Sequence, residues 1–254
     1  MKTIILSLFT CILLNISAAF SQFANFTKQG YIEYEKTINM FAVLKPTDNG
    51  DNTFQQMFYD KYKSSQPQFA KLSSKLTFNT QKTLFQPVLE DNEKVKGTGW
   101  TNSYVAQINE VFTDFNTASF TAKKNVFEED FIVKDSLRKI NWKITTEMRE
   151  ISGYNCRRAN AIIMDSIYVV AFYTDEIPVS GGPESFTGLP GMILGVVLPR
   201  EHINWFATKV VNVAVKEEEL KSPTKGKPIS LKGLKDKILN AGEYYSKSLK
   251  SFLL

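Results

Sequence analysis

Alternation of apolar and polar residues is the strongest constraint on the fold of this chain. In the clearest segment every second residue is apolar or carries a hydroxyl: Ile140, Trp142, Ile144, Thr146 and Met148. Charged and polar residues occupy the positions between them, and the segments 32–40 and 205–215 repeat the pattern. A period of two residues is typical of strands that bury one face. The sequence therefore predicts a mainly β protein.

Short turn sequences separate these segments. Asp135-Ser136 and Ser152-Gly153 are compact connections of the kind that join neighbouring antiparallel strands, since a parallel crossover needs a much longer segment. We therefore expect one curved, predominantly antiparallel sheet. A half-open barrel is the nearest architectural analogy, and such an analogy says nothing about function.

Two short helices are expected beside the sheet. Thr53 and Gln56 have the spacing of a capping box, and apolar residues then recur at helical intervals up to Tyr62, which predicts a helix over 53–65. A second helix should begin at Ser230, after Pro228, with an apolar stripe that includes Leu234. The fold class is thus β with minor α.

Charge is distributed unevenly along the chain. The sequence has 31 Lys and Arg against 26 Asp and Glu, a formal net charge of +5. Residues 22–215 balance at 21 of each sign, whereas residues 216–254 hold nine Lys against five acidic residues. A balanced domain lacks the cationic surface that nucleic acid requires, so we expect no nucleic-acid partner. The charge predicts a β domain over 22–215, followed by a basic linker and C-terminal helix over 216–254.

The first 21 residues have the pattern of a signal peptide. Lys2 precedes an apolar stretch over residues 4–16, and small residues stand at Ala19 and Ser21, so cleavage before Gln22 is expected. The mature chain should then be exported, with no transmembrane span. Cys156 becomes its only thiol, which rules out an internal disulfide.

The segment 172–199 is unusual because four prolines and five glycines stand among apolar residues. Glycine permits positive φ and close backbone approach, while proline fixes φ, so this composition predicts a rigid, sharply turning loop. We call residues 175–191 the Gly/Pro loop.

A six-residue sequence ends this loop and enters the next segment: Gly188, Leu189, Pro190, Gly191, Met192 and Ile193. It resembles the signature of the GLPGLI family of exported bacterial proteins, with Met192 in place of leucine. Upstream, Gly182 and Pro183 precede Phe186 as in the family, and the similarity extends over most of residues 1–215. It implies a protein of the Gram-negative periplasm or outer membrane without an established activity, in which these nine residues would form the family motif or binding loop. It implies no role for Cys156.

Conventional catalytic motifs are missing from the sequence. Cys156 and His202 are the one available nucleophile–base pair, but the residues around them favour a small buried thiol and a turn histidine over a catalytic dyad. Glu176, beside Asp175, and Glu184 lie in the Gly/Pro loop and are candidates for acid–base chemistry, or for satisfying loop backbone donors. We expect no metal site and no cofactor.

The leading functional hypothesis is therefore a non-catalytic, exported envelope protein that binds an apolar ligand, an extended peptide or an outer-membrane partner. The first alternative is a hydrolase or peptidase that uses Cys156 and His202 or the loop carboxylates. The second is a structural or assembly module. Ser136 and Ser166 lie in tripeptides that resemble an O-glycosylation acceptor of some bacteria.

Overall fold

The computed structural model describes residues 26–46, 53–88, 109–241 and 253. The predicted signal peptide lies outside them. Within these ranges the strands are β1 (Gly30–Asn39), β2 (Phe69–Phe78), β3 (Lys82–Pro87), β4 (Glu110–Asp114), β5 (Ser119–Val126), β6 (Glu129–Ser136), β7 (Lys143–Ile151), β8 (Tyr154–Ile163), β9 (Ile167–Thr174), β10 (Met192–Leu198), β11 (Ile203–Asn212) and β12 (Lys227–Ile229). The helices are α1 (Met40–Val43), α2 (Thr53–Ser65) and α3 (Leu231–Asn240).

All twelve strands of the described chain belong to one open sheet. Its order is β12-β6-β5-β4-β3-β2-β1-β11-β10-β9-β8-β7. Neighbouring strands are antiparallel except β12, which runs parallel to β6. The predicted fold class, mainly β with an antiparallel sheet and short helices, is confirmed. The central pairing of β1 with β11 joins two hairpin-connected halves of the chain.

Both predicted helices are present. Helix α2 covers the predicted residues, but only Tyr62 is buried, and Phe54 and Met57 are 71% and 62% exposed. Helix α3 begins as expected, because the Ser230 hydroxyl accepts a hydrogen bond from the Gly233 amide at 3.0 Å. Its apolar stripe is buried, so α3 packs against the sheet more fully than α2 does.

The segment with the clearest alternation departs from the expected burial. Strand β7 begins at Lys143 rather than Ile140, its register with β8 shifts between Ile144 and Met148, and those two side chains are 44% and 52% exposed. The reason is position: β7 is the last strand of the sheet formed by the described residues, so within them it has a neighbouring strand on one side only. Alternation here marks an extended strand without marking a buried face.

Strand β1 shows how the core is built. Its residues alternate between buried and half-buried along the whole strand, and Tyr34 lies on the buried face. The Tyr34 hydroxyl donates to the Ile193 carbonyl at 2.7 Å, which ties β1 to the start of β10, directly after the Gly/Pro loop. Within that loop Phe186 packs edge-on against Trp205 of β11, with ring centroids 6.1 Å apart. The loop therefore covers the buried face of the sheet.

The basic C-terminal segment also contacts the sheet. Lys82 of β3 forms an ion pair with Glu217 at 2.7 Å, Leu220 is buried, and β12 pairs with β6. The division of the chain at residue 215 stays a prediction from charge.

Candidate functional site

A cavity of about 730 Å³ lies between the sheet, the Gly/Pro loop and α3. Its sheet wall comes from β4 and β5, its loop wall from Ser180, Ser185, Thr187 and Gly188, and Leu231 of α3 also contributes. Residues 135–140, which begin with the last two residues of β6, also line the cavity. Cavities of this size are typical of small-molecule sites.

Strand pairing explains why the sheet wall is apolar. Val111 of β4 lies opposite Ala122 of β5, and Thr113 lies opposite Phe120. Residues two apart on a strand share a face, so these four side chains form one patch that lines the cavity.

Lys124 continues the same face of β5, two residues beyond Ala122, and lines the cavity. The residue is only 3% exposed, and its Nζ atom has no hydrogen-bond partner among the described residues. The pKa of Lys124 is lowered from 10.5 to about 8, mainly by burial. Glu184 opposes this change, whereas the positive charges of Arg138 and Lys36 add to it. Lys124 thus lines the cavity and carries a buried ammonium group that has no acceptor among the described residues.

Arg138 supplies a second cation to the cavity. It is half-buried, burial lowers its pKa, and Nη2 donates to the Leu253 carbonyl at 2.9 Å. In the described ranges no carboxylate lies within 4.0 Å of its guanidinium. Lys139 and Asp135 also border the cavity, so three cations face one carboxylate around it.

Glu184 is the buried anion beside this cavity. The loop residue is 5% exposed, and it accepts a hydrogen bond from Asn109 Nδ2 at 2.9 Å. Its charge raises the pKa of both Lys36 and Lys124 against the dominant effect of burial. Lys36 Nζ lies 5.0 Å from the centre of the Trp205 ring, a cation–π contact. Glu184, Asn109 and the two lysines therefore form a polar cluster within the core.

The predicted nucleophile and base are far apart. Cys156 lies level with Thr174 and Met192, whereas His202 lies in the turn beyond Leu198. This register separates the two by at least five residues along the strands, or about 16 Å. The Cys156–His202 dyad is therefore not assembled.

The three predicted catalytic residues also lie in surroundings that differ from one another. Cys156 is fully buried, its thiol contacts the Tyr154 carbonyl at 3.5 Å, and burial, with a further contribution from Glu176, raises its pKa to about 12. Glu176 is exposed and accepts from the Asn155 amide at 3.3 Å. The His202 carbonyl accepts from the Asn39 amide at 3.0 Å. Each residue thus has structural contacts of its own.

The predicted loop residues lie where the Gly/Pro loop enters β10. A Cβ atom on Gly191 would lie 2.1 Å from the Thr174 carbonyl oxygen, and one on Gly182 would lie 2.8 Å from the Phe186 carbonyl oxygen. Gly188 has φ of +94° and borders the cavity. The apolar members of the motif are buried, as is one of its prolines: Pro183, Phe186, Leu189, Met192 and Ile193. Pro190 is exposed. Most of the motif therefore packs the core, and one glycine reaches the cavity.

Sequence reasoning missed the two buried lysines. Alternation offered the signal, because Lys36 falls on the same face as Tyr34 and Ile38, and Lys124 on the same face as Ala122. A lysine at a position that the period assigns to the core is unusual and marks a candidate site.

Metal binding and membrane spanning have no candidates in the described ranges. No group of three or more His, Cys, Asp or Glu residues there could hold a metal ion. None of the helices formed by these residues is both long and apolar enough to cross a membrane.

Comparison with known proteins gives one family model and several solved structures of similar fold. Residues 162–195, from the end of β8 to β10, match a family described as "Protein of unknown function (Porph_ging)". Two structures of PNGF-II, in different crystal forms, are each 18% identical, with TM-scores of 0.51 and 0.53. They cover 83% and 82% of this chain, which spans about a third of the PNGF-II chain (33% and 32%). No curated protein matches the sequence. At this identity the similarity shows the fold alone.

Proposed function

We propose that this chain is an exported, non-catalytic binding protein of the bacterial cell envelope, and that the cavity between β4, β5 and the Gly/Pro loop holds an apolar ligand. The size of the cavity and its continuous wall of Val111, Phe120 and Ala122 carry this proposal. Burial of apolar surface is the main driving force for such binding.

Export and envelope location belong to the same proposal. The signal-like pattern of residues 1–21 supports export, and the Gly-Leu-Pro-Gly sequence at 188–191 supports membership of the GLPGLI family. The match over 162–195 is compatible with that membership, because it includes the same segment.

A binding role also agrees with the state of the candidate catalytic groups. A thiol whose pKa is about 12 is protonated at neutral pH and is a poor nucleophile, and His202 is too distant to deprotonate Cys156. These observations favour binding over the hydrolase alternative.

The test is ligand retention. The purified protein is incubated with a lipid extract of bacterial envelopes, washed and measured by native mass spectrometry. We expect a retained species in the wild type and its loss in Ala122→Phe, because the larger side chain fills the cavity beside β4. Lys123→Phe is the matched control, since Lys123 lies on the opposite face of the same strand and should keep the ligand. Absence of any retained species in the wild type would contradict the proposal.

Strand β7 supports a second candidate, binding of an extended peptide or outer-membrane partner. It ends the sheet, is nine residues long and exposes the apolar side chains Ile144 and Met148. An exposed edge strand can accept a further strand from a partner. The double variant Ile144→Lys, Met148→Lys should then lose partners that the wild type captures from an envelope extract. Unchanged capture would count against this candidate.

A further inference from the structure

The lining of the cavity includes a charged group that the described residues leave unsatisfied. Lys124 Nζ is buried and has no acceptor among the described residues, so neither Glu184 nor Asp135 lies within hydrogen-bond distance of it. Buried polar atoms are paired in nearly all native structures, and an unpaired ammonium group is especially unfavourable. A ligand that accepts a hydrogen bond from Lys124 Nζ would satisfy this buried ammonium group.

The charges around the cavity define that acceptor. In the cavity lining Lys124 is buried and Arg138 is half-buried, both are cationic, and no described carboxylate forms an ion pair with either. Glu184 lies close enough to affect the Lys124 pKa, but it accepts no hydrogen bond from Lys124 Nζ. Lys124 and Arg138 therefore lack a paired carboxylate among the described residues, and an anionic group complements them.

The remaining lining defines the rest of the ligand. Beyond Lys124 along β5 come Ala122, Phe120 and, at the hairpin, Ala118, with Val111 beside them on β4. This is an apolar wall that begins at a cation. A cavity of this form matches a molecule with an acidic head and a hydrocarbon chain.

We infer that the ligand is a long-chain carboxylate, whose head lies at Lys124 Nζ and Arg138 and whose chain lies along β4 and β5. The inference rests on the proposed binding role of the same cavity, and it adds the chemical class. The carboxylate accepts from the ammonium and guanidinium groups, which are donors only. The chain displaces water from the apolar wall.

The test compares three probes with the same twelve-carbon chain, used below their critical micelle concentrations: dodecanoate, dodecanol and dodecylamine. Isothermal titration calorimetry at pH 7 measures their affinities for the wild type, for Lys124→Met and for the control Lys123→Met. Circular dichroism confirms that each variant is folded. The wild type should bind dodecanoate about tenfold or more tightly than dodecanol, since a hydrogen bond to a charged partner is worth at least that factor.

Lys124→Met should reduce dodecanoate affinity by about tenfold and leave dodecanol affinity unchanged or higher. Lys123→Met should bind both probes like the wild type. A measurement independent of the variants uses pH: dodecanoate stays ionised between pH 7 and 9.5, whereas Lys124 loses its proton around pH 8. Affinity of the wild type for dodecanoate should therefore fall over this range, and affinity for dodecanol should not.

The outcomes separate the inference from the proposed function. Equal binding of dodecanoate and dodecanol, or tighter binding of dodecylamine, would overturn the acidic head group and leave an apolar binding site. An undiminished preference for dodecanoate in Lys124→Met would overturn the role of Lys124. If none of the three probes binds, the proposed function fails together with the inference.

Discussion

Replacing Lys124 with methionine should stabilise the unliganded protein at neutral pH. Methionine has nearly the length of lysine and no charge, so it fills the same space on β5 without a buried ammonium group. The Lys124 pKa is about 8 in the fold, against an ordinary value of 10.5. A tenfold change in proton affinity corresponds to about 1.4 kcal/mol, so protonated Lys124 opposes folding by roughly 3 kcal/mol. Lys124→Met should raise the free energy of unfolding by about that amount at pH 7.

The same reasoning fixes the pH dependence. Below pH 8 Lys124 is protonated in both folded and unfolded chains, so the whole unfavourable contribution is present. Between pH 8 and 10.5 the unfolded chain binds more protons than the folded chain, so wild-type stability rises with pH. Above pH 10.5 the lysine is neutral in both states. The advantage of Lys124→Met should therefore decline from about 3 kcal/mol at pH 7 toward zero near pH 10.5.

Urea denaturation followed by tryptophan fluorescence measures this difference. Wild type, Lys124→Met and Lys123→Met are compared at pH 7, 9 and 10.5. The control removes an ion pair with Asp130 on a partly exposed residue, so it should change stability by less than about 1 kcal/mol at any pH. A loss of stability in Lys124→Met at pH 7, or a gain that does not change with pH, would refute the assignment of an unsatisfied buried charge.

Three further predictions concern the Gly/Pro loop and Cys156. Gly191→Val should destabilise the fold by about 3 kcal/mol or more in urea denaturation, because its Cβ would overlap the Thr174 carbonyl. Gly153→Ala is the control: a Cβ there meets nothing within 4 Å, so the substitution should lower stability by only about 1 kcal/mol. Glu184→Gln should lower the free energy of unfolding by about 1–3 kcal/mol at pH 7. Because Glu184 raises the pKa of Lys124, the variant should also show its rise in stability at a lower pH than the wild type. Unchanged pH dependence would contradict the proximity of these charges. Cys156 should react with a thiol reagent at pH 8 only after denaturation, because the native thiol is buried with a pKa of about 12, and fast labelling of the native protein would contradict this placement.

The elements of the fold could be predicted where local sequence determines them. Alternation identified β1 because its inner face is buried along its whole length, and the capping residues placed α2 and α3 correctly. Burial could not be predicted at β7, since the pattern is set by the residues but exposure is set by the missing neighbour at the sheet edge. The same limit applies to α2, where Phe54 has the spacing of a core residue and faces solvent.

The candidate site could not be predicted from the sequence, for a different reason. The cavity exists because β4 and β5 lie opposite a loop that is about 60 residues away in sequence, and local periodicity does not specify such partners. Catalytic motifs directed attention to Cys156 and His202, which the strand register separates. The more informative residues were Lys36 and Lys124, whose type disagrees with the inward position that alternation assigns to them.

The Gly/Pro loop serves the fold and the cavity through different residues. Gly191 lies against the backbone of β9, and Phe186 packs on Trp205, so the loop is held at both its end and its middle. Fixing these points places Glu184 in the core beside the lysines and leaves Thr187 to line the cavity. A wall held in this way is preorganised, so binding does not have to order it. Under the proposed function, selectivity depends on the groups that line the cavity, the buried Lys124 of β5 and the apolar side chains beside it. The Gly/Pro loop would then hold one wall of the proposed ligand site, while the groups that recognise the ligand would come from the opposite strands.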